Sequence, residues 1–347
     1  MAAVFPIHYA RELLRAFEIQ PMEVWGPPGI GLSKGAARLQ PYVCTIVQNA
    51  LAFVESGNLD AVDLLLVPHA CDSLQGLGSI LTDFVKPRQP VLTLYMPRGQ
   101  RDSDVDFLAD ELRALYHRLE AITGRAPSDR ELMDAIRREE AADALLTELH
   151  RNRPNLPFTD EAFYRLVRSR EYLPTEQFIE IAQQCRAGFQ TRQPGRDVNP
   201  ALRGIPLLLS GILPEPMSLF PALAEMGATV AADDLACCGR RLYPAGKSEE
   251  PFQRMAERLL GAAPDAMRGS PIQRRLDHLR ELVQGSGARG VVFYDVKFCE
   301  PELFDLPLLR QGLSAAGIPS LALEVDLNDG LSQPMLNRLE AFLEMLK

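Results

Sequence analysis

The sequence predicts an α/β protein in which two lobes of parallel sheet flank a helical insertion. Short apolar runs alternate with longer amphipathic stretches in the first and last thirds of the chain, as in a parallel sheet covered by helices. The middle third instead shows apolar residues at helical spacing. The length of 347 residues is enough for two lobes with their own cores, at roughly 100–200 residues per domain. We expect an N-terminal lobe at residues 1–103, the helical insertion at 104–192 and a C-terminal lobe at 193–347.

Three strands are predicted in the N-terminal lobe. Each is a short apolar run that ends at a turn signal and is followed by sequence compatible with a helix. These strands are residues 22–25, 63–67 and 91–95.

Two long helices are predicted in the insertion, around residues 106–115 and 130–137. Ser128 followed by Glu131 matches the S-x-x-E capping box that starts a helix. The charged run at 137–140 is interpreted as a solvated helix face.

A segment rich in proline and glycine at residues 193–200 is typical of a linker. The alternation of strands and helices resumes after it. The predicted strands are 205–209, 228–232, 290–294 and 319–323, and the predicted helices are 219–226 and 334–346.

Composition narrows the class of protein. Hydrophobic residues make up 46% of the chain, which is too many for a disordered protein. The 37 Lys and Arg residues against 46 Asp and Glu leave a formal net charge of −9, so neither nucleic acid nor an anionic membrane is an expected partner. The first residues lack the pattern of a signal peptide, and we expect a cytoplasmic protein whose thiols stay reduced.

The segment Gly-Pro-Pro-Gly-Ile-Gly-Leu-Ser-Lys at 26–34 begins like a phosphate-binding loop. That loop needs lysine directly after its second motif glycine, followed by a hydroxyl residue. Leu32 holds the lysine position, and Lys34 is displaced by two residues. The segment is therefore interpreted as a Gly/Pro loop after a strand, without an ATP site.

Six cysteines are the candidate reactive residues. Apart from the one in the middle of a predicted helix, they lie just beyond likely strands, where open α/β sheets bind ligands. Thiols that converge there suit iron–sulfur clusters or zinc, although no C-x₂₋₄-C pair typical of zinc is present. Simple packing of buried thiols is the alternative. The cysteines are Cys44, Cys71, Cys185 (mid-helix), Cys237, Cys238 and Cys299.

Three short sequence motifs follow one another along the chain. They are Cys-Asp-Ser at 71–73, Asp-Asp-Leu-x-x-Cys-Gly-Arg at 233–240, and Lys-Phe-Cys-Glu-Pro at 297–301. Together they resemble the family of 2-hydroxyacyl-CoA dehydratases and benzoyl-CoA reductases, and the likeness covers most of the chain. The resemblance implies two Rossmann-like lobes with helical additions, in agreement with the fold class predicted above.

The resemblance also implies a cofactor and partners. A [4Fe–4S] cluster would be held by Cys44, Cys71 and Cys299, which leaves one iron without a cysteine for substrate or water. The chain would be a subunit of an ATP-driven, low-potential enzyme acting on an acyl-CoA thioester, either a dehydratase or an aromatic-ring reductase. Its expected partners are a paralogous second subunit and a separate ATP-hydrolysing activator protein.

Several alternatives stay open. Cys237 and Cys238 are interpreted as accessory groups, and Cys185 as a packed thiol, while a larger double-cubane cluster would use additional cysteines. A cluster-free binding or assembly protein of the same fold, or a zinc protein, are the other hypotheses.

Other polar residues are secondary candidates. Arg240, Asp233 and Asp234 are expected near the same cleft, with helix N-capping as the alternative for the two carboxylates. His69 would either donate a proton near the cluster or hydrogen-bond to the backbone. The remaining histidines are expected at the surface. They are His8, His117, His150 and His278.

Overall fold

The computed structural model describes residues 1–27, 29–31, 38–99, 101–190 and 204–347. It contains two four-stranded sheets in which every described strand pair is parallel. The predicted α/β fold class, with two Rossmann-like lobes, is therefore confirmed.

The N-terminal sheet has the strand order β2-β1-β3-β4. All three predicted strands are present, each within two residues of its expected bounds. The sequence pattern does not predict β1, because three apolar residues at the start of the chain are too few to show a period. The strands are β1 (Ala2–Val4), β2 (Pro21–Glu23), β3 (Leu64–His69) and β4 (Val91–Tyr95). The helices of this lobe are α1 (Arg11–Ala16), α2 (Thr45–Glu55) and α3 (Asp72–Ile80), and a π-helical turn at Leu81–Val85 continues α3.

Helices form the described middle of the chain, where the sequence predicts a helical insertion. They are α4 (Asp102–Thr123), α5 (Asp129–Arg151), α6 (Asp160–Ser169) and α7 (Thr175–Gln190). The capping box that starts α5 is confirmed, since the Ser128 amide donates to Glu131 at 2.8 Å and the Glu131 amide donates to Ser128 Oγ at 3.4 Å. The domain boundaries remain predictions.

The expectation of a solvated charged face on α5 is wrong at Glu139. This side chain is buried, and it accepts hydrogen bonds from Arg170 and Thr175. The reason is that α5 packs against α1 and α7, so that part of its charged stretch faces other helices.

The C-terminal sheet has the strand order β6-β5-β7-β8. All four predicted strands and both predicted helices are confirmed, and the strands extend two or three residues beyond their expected ends. The strands are β5 (Ile205–Gly211), β6 (Ala228–Leu235), β7 (Gly290–Val296) and β8 (Ser320–Val325). The helices are α8 (Leu219–Glu225), α9 (Pro251–Leu260), α10 (Ile272–Ser286), α11 (Glu300–Ala315) and α12 (Gln333–Leu346). The predicted linker at 193–200 lies outside the described residues.

The two sheets share one apolar core. A single cluster of buried side chains includes Val67 of β3, Phe163 of α6, and Leu207 and Val292 of the C-terminal sheet. This shared core means that both sheets pack onto a common interior. Within the described residues, no helix is both long and apolar enough to cross a membrane.

Candidate functional site

Three of the six cysteines occupy the same kind of position, the residue that precedes a helix. Cys44 is the N-cap of α2, Cys71 of α3 and Cys299 of α11. Cys71 follows the end of β3 by two residues, and Cys299 follows the end of β7 by three. The site therefore draws on the carboxyl ends of strands from both sheets, as expected for a ligand site between two α/β lobes.

The three thiols lie close enough to affect one another's pKa. Burial raises the pKa of Cys71 to about 12, and the nearby Cys44 thiol contributes to this shift. The pKa of Cys299 is raised well above its usual value, first by burial and next by Cys44, with Cys71 also contributing. Ser73, two residues after Cys71, hydrogen-bonds to the Cys44 thiol and lowers its pKa, which burial otherwise raises. Three neighbouring thiolates, two of them buried and Cys71 partly buried, would repel one another, so their ionised forms need a compensating positive charge.

Backbone amides supply part of that compensation. Hydrogen bonds from amides in the first turn of each helix act to lower the pKa of the cysteine that precedes it. The first amides of a helix have no partner within the helix, and they favour an anion at that end. The donors belong to Ile46, Val47, Ser73, Leu74 and Glu302.

The backbone immediately before Cys299 adopts an uncommon conformation. Phe298 has a φ of 63°, in the left-handed region that residues other than glycine rarely enter. Such strained positions concentrate at functional sites. Here the left-handed residue turns the chain from β7 into α11 and places Cys299 at the helix start.

A network of buried ion pairs holds the first turn of α11. Glu302 lies three residues after Cys299, accepts hydrogen bonds from Arg240, and accepts one from Arg275 Nη2 at 2.7 Å. Arg240 is fully buried and also donates to both carboxylate oxygens of Asp234, at 3.0 and 2.9 Å. Arg240 and Asp234 therefore act as supports within the C-terminal lobe, and they do not face an open cleft. Sequence patterns missed the role of Glu302 because it lies 62 residues from Arg240 and 27 residues from Arg275 in the chain.

Asp233 has other partners. It accepts a hydrogen bond from Arg153 Nη1 at 2.9 Å and one from the amide of Gly239 at 2.8 Å. Gly239 is the first residue of a 3₁₀ turn, so the capping role considered for this carboxylate is present in part.

The other three cysteines lie in different surroundings. Cys237 and Cys238 follow β6, are both buried, and have their Sγ atoms 3.4 Å apart. Cys185 lies within α7, as the sequence predicts, and is partly buried.

The surroundings of three histidines differ from those expected from the sequence. His69 ends β3, and neither of its ring nitrogens has a hydrogen-bond partner among the described residues, so a backbone bond is not its role. Its ring packs edge-on against Tyr95, with the centroids 4.4 Å apart, and burial lowers its pKa. Contrary to the expected surface location, His8 is buried and only 8% of the His150 side chain is exposed. His8 Nε2 lies 3.1 Å from Asp265.

Gly26, in the described part of the Gly/Pro loop, lies against α2. Gly26 has a φ of 70°, and a side chain there would clash with Ile46, Asn49 and Ala50. This position therefore requires glycine for close approach to the helix. The displaced Lys34 lies outside the described residues.

A cleft of about 690 Å³ lies beside this loop, and we refer to it as the interlobe cleft. Its walls include Trp25 after β2, Phe53 of α2, Arg168 of α6, and Leu213 and Glu215 after β5. None of the three helix-capping cysteines lines it. The cleft nevertheless reaches Gly26, which contacts the first turns of the helix that starts at Cys44.

The three cysteines at helix starts are donors of the type that iron–sulfur clusters use. No group of three or more His, Cys, Asp or Glu side chains in the described ranges could hold a single metal ion. Soft thiolates in an apolar, amide-lined site are the ligands that such clusters use.

Comparisons with known proteins agree with the resemblance noted in the sequence. The family model described as 2-hydroxyglutaryl-CoA dehydratase, D-component, matches residues 6–346. The chain is 23% identical over 346 residues to the (R)-phenyllactyl-CoA dehydratase beta subunit of Clostridium sporogenes, covering 98% of this chain and 90% of the relative. It is 25% identical over 351 residues to the beta subunit of (R)-2-hydroxyglutaryl-CoA dehydratase of Acidaminococcus fermentans, covering 98% and 91%. A benzoyl-CoA reductase subunit of Thauera aromatica is 24% identical over 356 residues, covering 99% and 90%.

Proposed function

This chain belongs to the 2-hydroxyglutaryl-CoA dehydratase D-component family, and from that premise we propose that it is the iron–sulfur subunit of an ATP-driven, low-potential enzyme acting on acyl-CoA thioesters. The observation that carries the proposal is the grouping of Cys44, Cys71 and Cys299 at the N-termini of three helices. Two of these cysteines follow central strands of different sheets, so the site forms only when both lobes are folded together.

Cys44, Cys71 and Cys299 would hold a [4Fe–4S] cluster. When bound, such a cluster supplies one-electron transfer and, with three protein ligands, one iron open to substrate or water. The zinc hypothesis is less well supported, because the sequence contains no C-x₂₋₄-C pair of the kind that zinc sites use.

The protein's own residues prepare the site in three ways. Burial of Cys44 and Cys299 excludes water from the sulfur atoms. The amides of the three helix N-termini stabilise the thiolate forms. The ion pairs from Glu302 to Arg240 and Arg275 fix the turn that carries Cys299, as outer partners of metal ligands commonly do.

Two protein partners complete the proposal. The relatives are themselves named as subunits, two of them as beta subunits of dehydratases, which supports a paralogous second subunit. The segment at 26–34 has Leu32 where a phosphate-binding loop has lysine, which supports a separate activator protein for ATP hydrolysis. We further propose that the complex works in the cytoplasm, where reduced thiols persist.

Both reactions of the family remain within the proposal, namely dehydration of a hydroxyacyl-CoA and reduction of an aromatic acyl-CoA. The proposed ligands do not distinguish them, because electron delivery to the thioester would be shared.

Replacement of Cys71 by alanine tests the cluster. Anaerobically purified wild-type chain should contain iron and sulfide and show brown absorbance, whereas the Cys71→Ala variant should lose most of both because one of three ligands is missing. The matched control is Cys185→Ala, which removes a thiol from α7 and should keep the wild-type iron content. Wild-type chain without iron or sulfide would contradict the proposal and favour a cluster-free binding protein.

A further inference from the structure

The interlobe cleft has the position of a substrate site. It is lined by residues that follow β2, β5 and β8, so strands of both sheets direct their carboxyl ends toward it. Ligands bind at such ends in open α/β folds. Its volume of about 690 Å³ is within the range of small-molecule sites, which is roughly 300–1,000 Å³.

The cleft lies next to one helix of the cysteine site. Its residue Gly26 contacts the first turns of α2, the helix that Cys44 precedes. A molecule in the cleft therefore lies beside the helix that carries one of the proposed ligands.

Apolar and aromatic side chains form most of the lining. Such a surface gains free energy by covering an apolar group, and ring faces additionally favour another aromatic ring. The main apolar members are Met22, Trp25, Phe53, Leu59, Leu173 and Leu213.

Both arginines among the described lining residues already have a carboxylate partner, so no unpaired cation faces a ligand carboxylate there. Of the two arginines in that lining, Arg168 is paired with Glu23, and Arg165 is paired with Glu161 at 2.9 Å. The lining carboxyl group Glu215 accepts a hydrogen bond from Tyr164 at 3.3 Å. A second carboxylate would therefore be desolvated without a counter-ion and would face Glu215.

We propose that the interlobe cleft binds the acyl end of the substrate and selects an aromatic or branched apolar acyl group over one that ends in a carboxylate. This inference rests on the acyl-CoA function proposed above and adds the substrate class. The names of the relatives include both a phenyllactyl and a 2-hydroxyglutaryl group, so similarity alone does not choose between the classes.

Fluorescence of Trp25 provides a direct test, because this residue lines the cleft and is the single tryptophan of the chain. Anaerobically purified full-length chain is titrated with phenylpropanoyl-CoA and with glutaryl-CoA, which share CoA and differ at the acyl end. Free CoA corrects for absorbance and for binding of the CoA portion. We expect the phenyl compound to bind at least about tenfold more tightly, a ratio typical of a well-matched apolar pocket.

A charge placed in the cleft should reverse this preference. Met217 lines the cleft and is partly buried, so Met217→Arg would supply the missing counter-ion for glutaryl-CoA. The affinity for glutaryl-CoA should then rise and that for phenylpropanoyl-CoA should fall. Met226→Arg, at a partly buried methionine absent from the described cleft lining, should leave the wild-type ratio unchanged.

Equal affinities in the wild type, tighter binding of glutaryl-CoA, or no change in Trp25 fluorescence with either compound would each overturn the inference. Iron and sulfide measured on the same preparation separate it from the proposed function. If the chain holds its cluster but does not prefer the phenyl compound, the inference about the cleft is contradicted and the proposed function is not. The phenyl preference in a chain devoid of iron supports the inference and contradicts the iron–sulfur assignment.

Discussion

At the scale of single residues, burial controls the protonation of the chemically important groups. The pKa of Cys71, Cys44 and Cys299 is raised chiefly by desolvation. The thiols are therefore protonated at neutral pH when no cation is bound, and metal binding must release their protons.

Asp295, near the end of β7, shows the same effect in a carboxyl group. Its Oδ1 atom is buried and has no hydrogen-bond partner among the described residues. Burial, reinforced by the neighbouring Glu302, raises its pKa from 3.8 to about 8. The folded protein thus binds this proton more tightly than the unfolded chain. The stabilising contribution is fully present below pH 3.8 and is lost as the pH rises toward 8.

We expect Asp295→Asn to remove this loss, because asparagine stays neutral at every pH. The free energy of unfolding, measured with urea across the window from pH 3.8 to 8, should fall less steeply with rising pH in the variant than in the wild type. Asp329→Asn, at an exposed position, serves as control and should follow the wild-type profile. Identical pH profiles for Asp295→Asn and the wild type would show that Asp295 ionises normally.

At the scale of elements, the strand–cysteine–helix turn is the repeated unit of the site. The turn from β3 to α3 and the turn from β7 to α11 each place a cysteine at a helix N-cap. The second turn depends on support from a neighbouring element, because Arg240 after β6 binds Glu302 in the first turn of α11.

Replacement of Arg240 by glutamine should break this support. Asp234 and Glu302 would lose a buried partner, and removal of one partner from a buried pair costs about 3–5 kcal/mol. Urea unfolding should show this loss, and iron retention should also decrease because Cys299 is less well fixed. Arg289→Gln, at an exposed arginine, should change neither. If the two variants unfold at the same urea concentration, the network does not stabilise α11.

At the scale of the whole molecule, buried ion pairs join the lobes to the helical region. Arg241 of the C-terminal lobe binds Glu23 at the end of β2, and its Nη2 atom lies 3.2 Å from Glu171, just beyond α6. Glu23 also accepts a hydrogen bond from Arg168 of α6 and one from Trp25 Nε1 at 2.5 Å. One glutamate therefore contacts three parts of the chain.

Glu23→Gln should destabilise the entire protein and not one lobe alone. The buried Arg241 and the partly buried Arg168 would lose their shared carboxylate, so the free energy of unfolding should fall by about 3–5 kcal/mol. Circular dichroism and Trp25 fluorescence should report a single shared transition, since the apolar core includes both sheets. The control is Glu225→Gln at an exposed position. Separate transitions for the two signals would contradict the joined architecture.

The sequence by itself determined the fold class and every described strand except β1, because burial in a parallel sheet imposes short apolar runs between turn signals. It also pointed to Cys44, Cys71 and Cys299 as candidate ligands through the resemblance of short strings to a family. Their identity as ligands stays a proposal, which the thiol replacement tests.

Only the tertiary structure decided which distant residues meet. The partners of Glu302, the burial of Glu139 and His8, and the lining of the interlobe cleft depend on contacts between residues far apart in the chain. Local periodicity indicates which face of a helix or strand is apolar. It carries no information about which charged side chain of another element will pack against that face. Pairing of a buried charge is therefore a property of the folded chain, since its desolvation is compensated only where a partner is brought to it.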